Sequence, residues 1–161
     1  MAVTDRKSIG EAIGKIASGA FIVTEKQGDT TAGFLASWVQ QAAFEPPVLS
    51  LAVKNDRKIK PLLDAGSPFV INVLSEANKK LFSHFAKGFE SDQDPFAGIE
   101  TTSGETGAPI LTDAMAYMEC RLLDHADIGD HTVFFGEVVA GSVQHPDETP
   151  MARFRRSGFN Y

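Results

Sequence analysis

Residues 20–39 read AFIVTEKQGDTTAGFLASWV, and they decide the fold. Ala20 to Lys26 is apolar and β-branched, and Gln27-Gly28-Asp29 supplies turn residues. Thr30 to Val39 then reads as the returning strand of a hairpin. Gly33 inside that strand marks a bulge or the close approach of another body. A hairpin this early in the chain points to local antiparallel pairing, not to a βαβ repeat.

The same reading extends outward. Upstream, Ser8 and Glu11 have the spacing of a capping box, and Ile9, Ile13 and Ile16 fall at helical intervals. This predicts a helix over 8–17, weakened by Gly10 and Gly14 and closed by Gly19. Downstream, Phe44-Glu45-Pro46-Pro47 interrupts regular structure. Val48–Val53 (VLSLAV) is a buried strand, and 54–58 is a polar loop. Residues 59–65 are a short helix with Pro61 in its first turn. Phe69–Leu74 (FVINVL) is another strand, and Ser75 is placed to cap a helix over 76–86 with Leu81, Phe82 and Phe85 on its apolar face. Residues 87–109 read as a loop with a brief strand at 99–102. Ala116–Leu123 alternates as a strand, 128–131 is a turn, and Thr132–Val143 is a long strand with Gly136 and Gly141 as bend points. A basic, aromatic tail covers 151–161. Six or seven short strands with two or three helices predict a mainly β fold, a Greek-key-like antiparallel barrel with helical inserts. Residues 1–161 are expected to form a single domain.

Composition narrows the function. The chain of 161 residues carries a net charge of −6 with no basic block, which disfavours nucleic acid and anionic membranes as partners. It has no run of 18 apolar residues, and its N-terminus lacks the apolar core of a secretory signal, so a cytoplasmic location is the default. One cysteine, Cys120, excludes an intramolecular disulfide framework and a cysteine-cluster zinc site. Cys120 lies mid-strand and reads as a buried small hydrophobe rather than a nucleophile. The four histidines show no ligand pairing, so no metal site is expected. G-x-G-x-x-G, P-loop and nucleophile-elbow patterns are absent.

Three stretches carry chemistry. In Gly33-Phe34-Leu35-Ala36-Ser37-Trp38, small residues admit a flat ligand to the backbone and Ser37 offers a hydroxyl; alternatively the strand lies beneath a helix. Lys54-Asn55-Asp56-Arg57-Lys58, a polar loop before a helix, combines amides and cations as an anion site would; alternatively it is a solvated turn. Gly129-Asp130-His131 delivers His131 to the start of a strand, as a functional imidazole or as a surface histidine in a hairpin.

In this order and spacing, the chain resembles the flavin reductase-like family, whose fold is an FMN-binding split barrel. The resemblance runs through residues 17–59, SPFVINVLSEANKKLFSHF and PILTDAMAYMECRLLDHADIGDHTVFFGEVVAG. The GxLASWVxQA pattern, the Asp56-Arg57 loop, His84–Phe89 and the tail Arg155-Arg156-Ser157-Gly158 with Tyr161 are similar to the C-terminal module of diflavin flavodiiron proteins. The resemblance implies that Gly33, Phe34, Leu35, Ala36, Ser37 and Trp38 line the flavin ring and ribityl chain. Ala52, Val53 and Lys54 would continue that wall. Asp56, Arg57 and Lys58 would hold the phosphate, and Phe85 and Lys87 would flank the pocket. His131 would lie near the nicotinamide or the flavin. Phe34-Leu35-Ala36 departs from the hydroxyl residues many members carry after the strand glycine. The implied activity is an NAD(P)H-dependent flavin reductase with FMN, less so FAD, and commonly a homodimer. The alternative is an FMN-binding electron-transfer module without its own NAD(P)H activity, serving an electron-acceptor protein or a larger flavodiiron-type chain.

Overall fold

The computed structural model describes residues 5–161. Helix α1 (Arg6–Ile13) starts earlier and ends sooner than the expected 8–17. Asp5, not Ser8, caps it: the Asp5 carboxylate accepts from the Lys7 amide at 3.0 Å and from the Ser8 hydroxyl at 2.9 Å. An ionised acceptor at the helix start outcompetes a hydroxyl. Gly14 ends the helix, Ile16 is left exposed, and Gly19 falls in a short strand, β1 (Ser18–Gly19).

Strands β2 (Phe21–Gln27) and β3 (Thr30–Ala36) form the expected hairpin, with Gln27 opposite Thr30. The strand expected over 30–39 breaks at Ser37-Trp38 and resumes as β4 (Val39–Ala43). The break has a pairing cause. β3 pairs with β2, whereas β4 pairs with β5 (Val48–Lys54) across the Phe44–Pro47 corner. Next come α2 (Lys60–Asp64), β6 (Phe69–Val73) and α3 (Lys79–Ala86). Helix α3 starts later than expected because the Asn78 side chain accepts from the Ser75 amide at 2.9 Å, closing a turn over 75–78.

Two short strands, β7 (Thr101–Ser103) and β8 (Pro109–Leu111), pair with each other; β7 lies close to the brief strand expected at 99–102. The long hairpin β9 (Ala116–Ile128) and β10 (His131–Val143) closes on a two-residue turn, Gly129-Asp130. Gly129 has φ +59°, which only glycine adopts without cost. β9 exceeds the expected 116–123 because its outer half is solvated on both faces and loses alternation while remaining paired to β10. The register shifts at Phe135/Gly136, as expected of a bend, but the second shift falls at Val138/Ala140 rather than at Gly141. The tail contributes β11 (Ala152–Arg153), paired with β1.

The main sheet has seven antiparallel strands in the order β3-β2-β6-β9-β10-β5-β4. Its two end strands, β3 and β4, are joined by only Ser37 and Trp38. The sheet therefore rolls until its edges meet there, around a core that includes Val23, Leu51, Phe69, Ile71 and Phe134. Burying one such side chain stabilises the fold by about 1.5–3 kcal/mol. A second cluster, with Ile22, Leu74, Leu81, Phe85 and Leu111, joins the outer face of β2 to α3. β2 is thus covered on both faces, which explains its continuous apolar run.

Two polar groups inside these layers behave oppositely. Asn72 is fully satisfied, donating to the Ile22 carbonyl at 3.0 Å and accepting from the Leu111 amide at 2.9 Å. Glu25 faces the barrel core opposite Phe69, and neither carboxyl oxygen has a hydrogen-bond partner. Burial pushes its pKa up to about 9, so it is a neutral acid at pH 7. Cys120 is fully buried, as expected; burial, aided by the neighbouring Glu119 charge, pushes its thiol up to about 12.

Candidate functional site

A cleft with two lobes opens where the sheet edges meet. The narrower lobe, about 250 Å³, is walled by Phe34 through Trp38 of the β3–β4 junction and by Ala52, Val53 and Lys54 of β5. Phe82 and Phe85 of α3 close it from above, and Arg153, Arg155 and Tyr161 close it from the tail. The wider lobe, about 590 Å³, runs past Gly33, the Asp56-Arg57-Lys58 loop and the chain around Phe89. Phe34, Lys54, Arg57, Phe85 and Tyr161 line both lobes, which share that wall.

The sequence reading of the β3 and β5 segments and of the basic loop therefore converges on one cavity. Two expected residues do not join it. Lys87 lines neither lobe and is exposed at the end of α3. Phe85 faces the cleft, and a residue two places on is turned by about 200° around a helix. His131 also lines neither lobe. It sits behind the wall, its ring 4.8 Å from that of Trp38. Its Nδ1 lies 2.7 Å from Asp130 Oδ1 and its Nε2 lies 2.8 Å from the Tyr161 hydroxyl. The hydrogen bond from His131 holds the exposed Asp130 carboxyl below the usual carboxylate range. With Asp130 accepting from Nδ1–H, Nε2 of a neutral imidazole accepts from the Tyr161 O–H, and that of an imidazolium donates to the Tyr161 oxygen. His131 thus touches two residues of the cleft wall, Trp38 and Tyr161, from behind.

Gly33 also has a packing role. A Cβ there would lie 2.9 Å from Phe85 Cε1 and 3.1 Å from Phe96 Cζ, so the glycine admits the aromatic side chains of α3 and the following loop. The strand beneath a helix and the cleft wall are the same feature.

The charge of the narrower lobe is one-sided. Lys54, Arg57, Arg153 and Arg155 line the narrower lobe with no carboxylate among its lining residues, in a chain of net charge −6. In the wider lobe, Lys54 Nζ pairs with Asp56 Oδ2 at 3.1 Å and Lys58 Nζ donates to the Phe89 carbonyl at 2.9 Å. Arg57 has no ion-pair partner among the described residues, and its guanidinium carbon lies 5.5 Å from the Tyr161 ring centre. The Asn55 and Arg57 amides are already bonded to the Asp130 and Lys54 carbonyls, and α2 has only five residues.

Phe82, Arg153, Arg155 and Tyr161 were absent from the sequence-based set. The basic, aromatic character of residues 151–161 was the visible signal for the last three, and the apolar face of α3 for Phe82. Among the described residues, no three His, Cys, Asp or Glu side chains gather as a metal site requires. No helix there is long and apolar enough to cross a membrane.

With this geometry in hand, the flavin reductase like domain matches residues 13–160. The chain belongs to the flavin reductase-like family. Diflavin flavoprotein A 1 of Synechocystis sp. is 40% identical over 152 residues, covering 94% of this chain and 26% of that protein. The chain thus spans about a quarter of the length of the curated relatives it matches. The solved structure of NADH:FAD oxidoreductase SgcE6 from Streptomyces globisporus superposes with a TM-score of 0.85 at 28% identity, covering 98% of this chain and 93% of that one. Flavin reductase HpaC complexed with NADP+ gives 0.78 at 27% identity, covering 90% of each chain. The rolled antiparallel sheet is the split barrel of flavin reductases, as the sequence resemblance implied.

Proposed function

We propose that the chain is an FMN-binding oxidoreductase that accepts a hydride from NADH or NADPH. The observation that carries this reading is the narrower lobe: aromatic and small apolar walls, hydroxyls from Ser18, Ser37 and Tyr161, and Lys54 and Arg57 on the wall it shares with the wider lobe. These residues fit a flavin mononucleotide, whose ring is flat and apolar and whose tail is a phosphate. When bound, a flavin would supply the redox chemistry, as hydride acceptor and electron donor.

The chain's own side chains do the rest. Leu35, Trp38 and Phe82 would shield the ring from water. Ser37 would offer its hydroxyl to the polar edge of the ring. Arg57 and Lys58 would neutralise the phosphate from the wider lobe. Tyr161, held by His131 and Asp130, sets the width of the shared wall. No side chain serves as a nucleophile, and the buried thiol of Cys120 stays protonated. FMN is preferred to FAD on the tendency of the family. Nicotinamide use is supported by neighbours described with NADH or NADP+.

Residues 1–161 form one functional unit in this reading, working as a homodimer in the cytoplasm. Phe44, 87% exposed, and Phe154, 67% exposed, supply apolar area for a second copy. Sedimentation showing a monomer at micromolar concentration would overturn the dimer.

The test is a titration of the flavin-free protein with FMN and FAD, followed by anaerobic stopped-flow mixing with NADH and with NADPH. Bleaching of the flavin absorbance by either nucleotide supports a reductase. A tightly bound flavin that neither nucleotide reduces supports the electron-transfer module instead. Absence of flavin binding overturns both.

A further inference from the structure

We propose that Arg153 and Arg155 form a second anion subsite, which takes the diphosphate of the nucleotide that delivers the hydride. The inference rests on the reading of the cleft as a flavin site.

Backbone pairing places both arginines. Ser18 lies opposite Arg153 in the β1–β11 ladder, which lays the tail along the rim of the narrower lobe. In extended chain, alternate residues share a face. Arg153 and Arg155 accordingly both line the lobe, while Phe154 between them is exposed.

Their side chains are preorganised. Arg153 Cζ lies 4.3 Å from the centre of the Phe82 ring, and Arg155 Cζ lies 4.9 Å from that of Trp38. Stacking occupies the flat face of a guanidinium and leaves its N–H edges for paired oxygens. Arg155 spends one Nη1–H on the Asn160 carbonyl at 3.1 Å, and the Arg153 side chain has no hydrogen-bond or ion-pair partner among the described residues. Two forks lining one lobe suit a ligand with more than one phosphate. The lining of the lobe holds no carboxylate to neutralise them.

The subsite adjoins the phosphate loop across a shared wall. Asp56 and Lys58 line only the wider lobe and Arg153 and Arg155 only the narrower one, while Phe34, Lys54, Arg57 and Tyr161 line both. One phosphate at each end lets two nucleotides be held together with their rings converging on that wall. A hydride transfer between two nucleotides requires such contact of the reacting rings.

ADP tests the subsite, because it carries the diphosphate without a nicotinamide or a flavin. Calorimetric titration of FMN-saturated protein gives its affinity, and the fluorescence of Trp38, the single tryptophan, reports displacement of Arg155. Arg153→Ala and Arg155→Ala each weaken ADP about ten- to hundredfold while FMN affinity stays within about twofold. Arg155→Lys, which keeps the charge and loses the fork, falls between. Arg156→Ala, exposed and lining neither lobe, leaves ADP affinity unchanged. Circular dichroism establishes that each variant is folded. Unchanged ADP affinity in both alanine variants overturns the proposal, as does a wild type that does not bind ADP. Parallel loss of FMN and ADP also overturns it, because the arginines would then hold the flavin's own phosphate. If FMN does not bind at all, the preceding reading fails, and the same ADP titrations on flavin-free protein still decide the subsite.

Discussion

Replacing Glu25 with glutamine is expected to flatten the pH dependence of stability. The wild-type carboxyl sits in the barrel core with no hydrogen-bond partner and a pKa of about 9, against an ordinary value of 4.5. Between those values the folded chain keeps a proton that the unfolded chain has released. Stability from this group is therefore complete below pH 4.5 and is lost as pH rises towards 9. The slope is about 1.4 kcal/mol per pH unit. From pH 5.5 to 7.5 the wild type should lose about 3 kcal/mol, a large share of the 5–15 kcal/mol typical of a domain. Cys120 in the same core stays neutral throughout this window and adds nothing. Glutamine keeps the shape and cannot ionise. It brings its own unpaired amide into the core, so the slope rather than the absolute stability is the measurement. Urea unfolding of flavin-free protein at pH 5.5, 6.5 and 7.5, followed by Trp38 fluorescence, supplies it. The midpoint of the wild type should fall steadily with pH while that of Glu25→Gln moves much less. Parallel profiles would refute the buried neutral acid.

Arg57→Ala should weaken FMN about ten- to hundredfold in a fluorescence titration with the melting temperature unchanged, because it removes an exposed, unpaired cation from the cleft. His131→Ala and Tyr161→Phe break the same 2.8 Å hydrogen bond, worth about 1 kcal/mol, so each should shift nucleotide KM or the hydride-transfer rate several-fold. The double variant should match the singles, and additive effects would show that His131 does not act through Tyr161. Gly33→Val should cost about 1–3 kcal/mol by calorimetry because its Cβ would meet Phe85 at 2.9 Å. An unchanged melting temperature would show that α3 is not packed there.

Most strands were legible because their signals are local. Phe69–Val73 and His131–Val143 carry apolar content and turn residues within the segment itself, and the structure keeps them almost to the residue. The misreadings arise where a distant partner sets the outcome. Nothing between Thr30 and Val39 says that the first half pairs with β2 and the second with β5, yet that division makes the gap at Ser37-Trp38 and hence the mouth of the cleft. Ser8 and Ser75 both have capping chemistry, but Asp5 and the Asn78 turn take the roles they were expected to fill.

The site shows the same division at the level of charge. The basic loop at 54–58 was visible because its cations are neighbours in the chain. Arg153 and Arg155 join Lys54 and Arg57 only through β11, a strand of two residues, too short to leave a periodic trace. A local reading finds one cation cluster and weighs it against an ordinary solvated turn. Folding places a second cluster against the same wall and brings no carboxylate to the narrower lobe. The electrostatic case for an anionic ligand thus arises from pairing between the two ends of the described chain. His131 fits the same account. The turn that delivers it was legible from Gly129-Asp130, whereas its partner Tyr161 comes from thirty residues away and moves the imidazole from the cleft surface to the layer behind. What the sequence displays is which residues carry chemistry; the ladder of strands decides which of them meet.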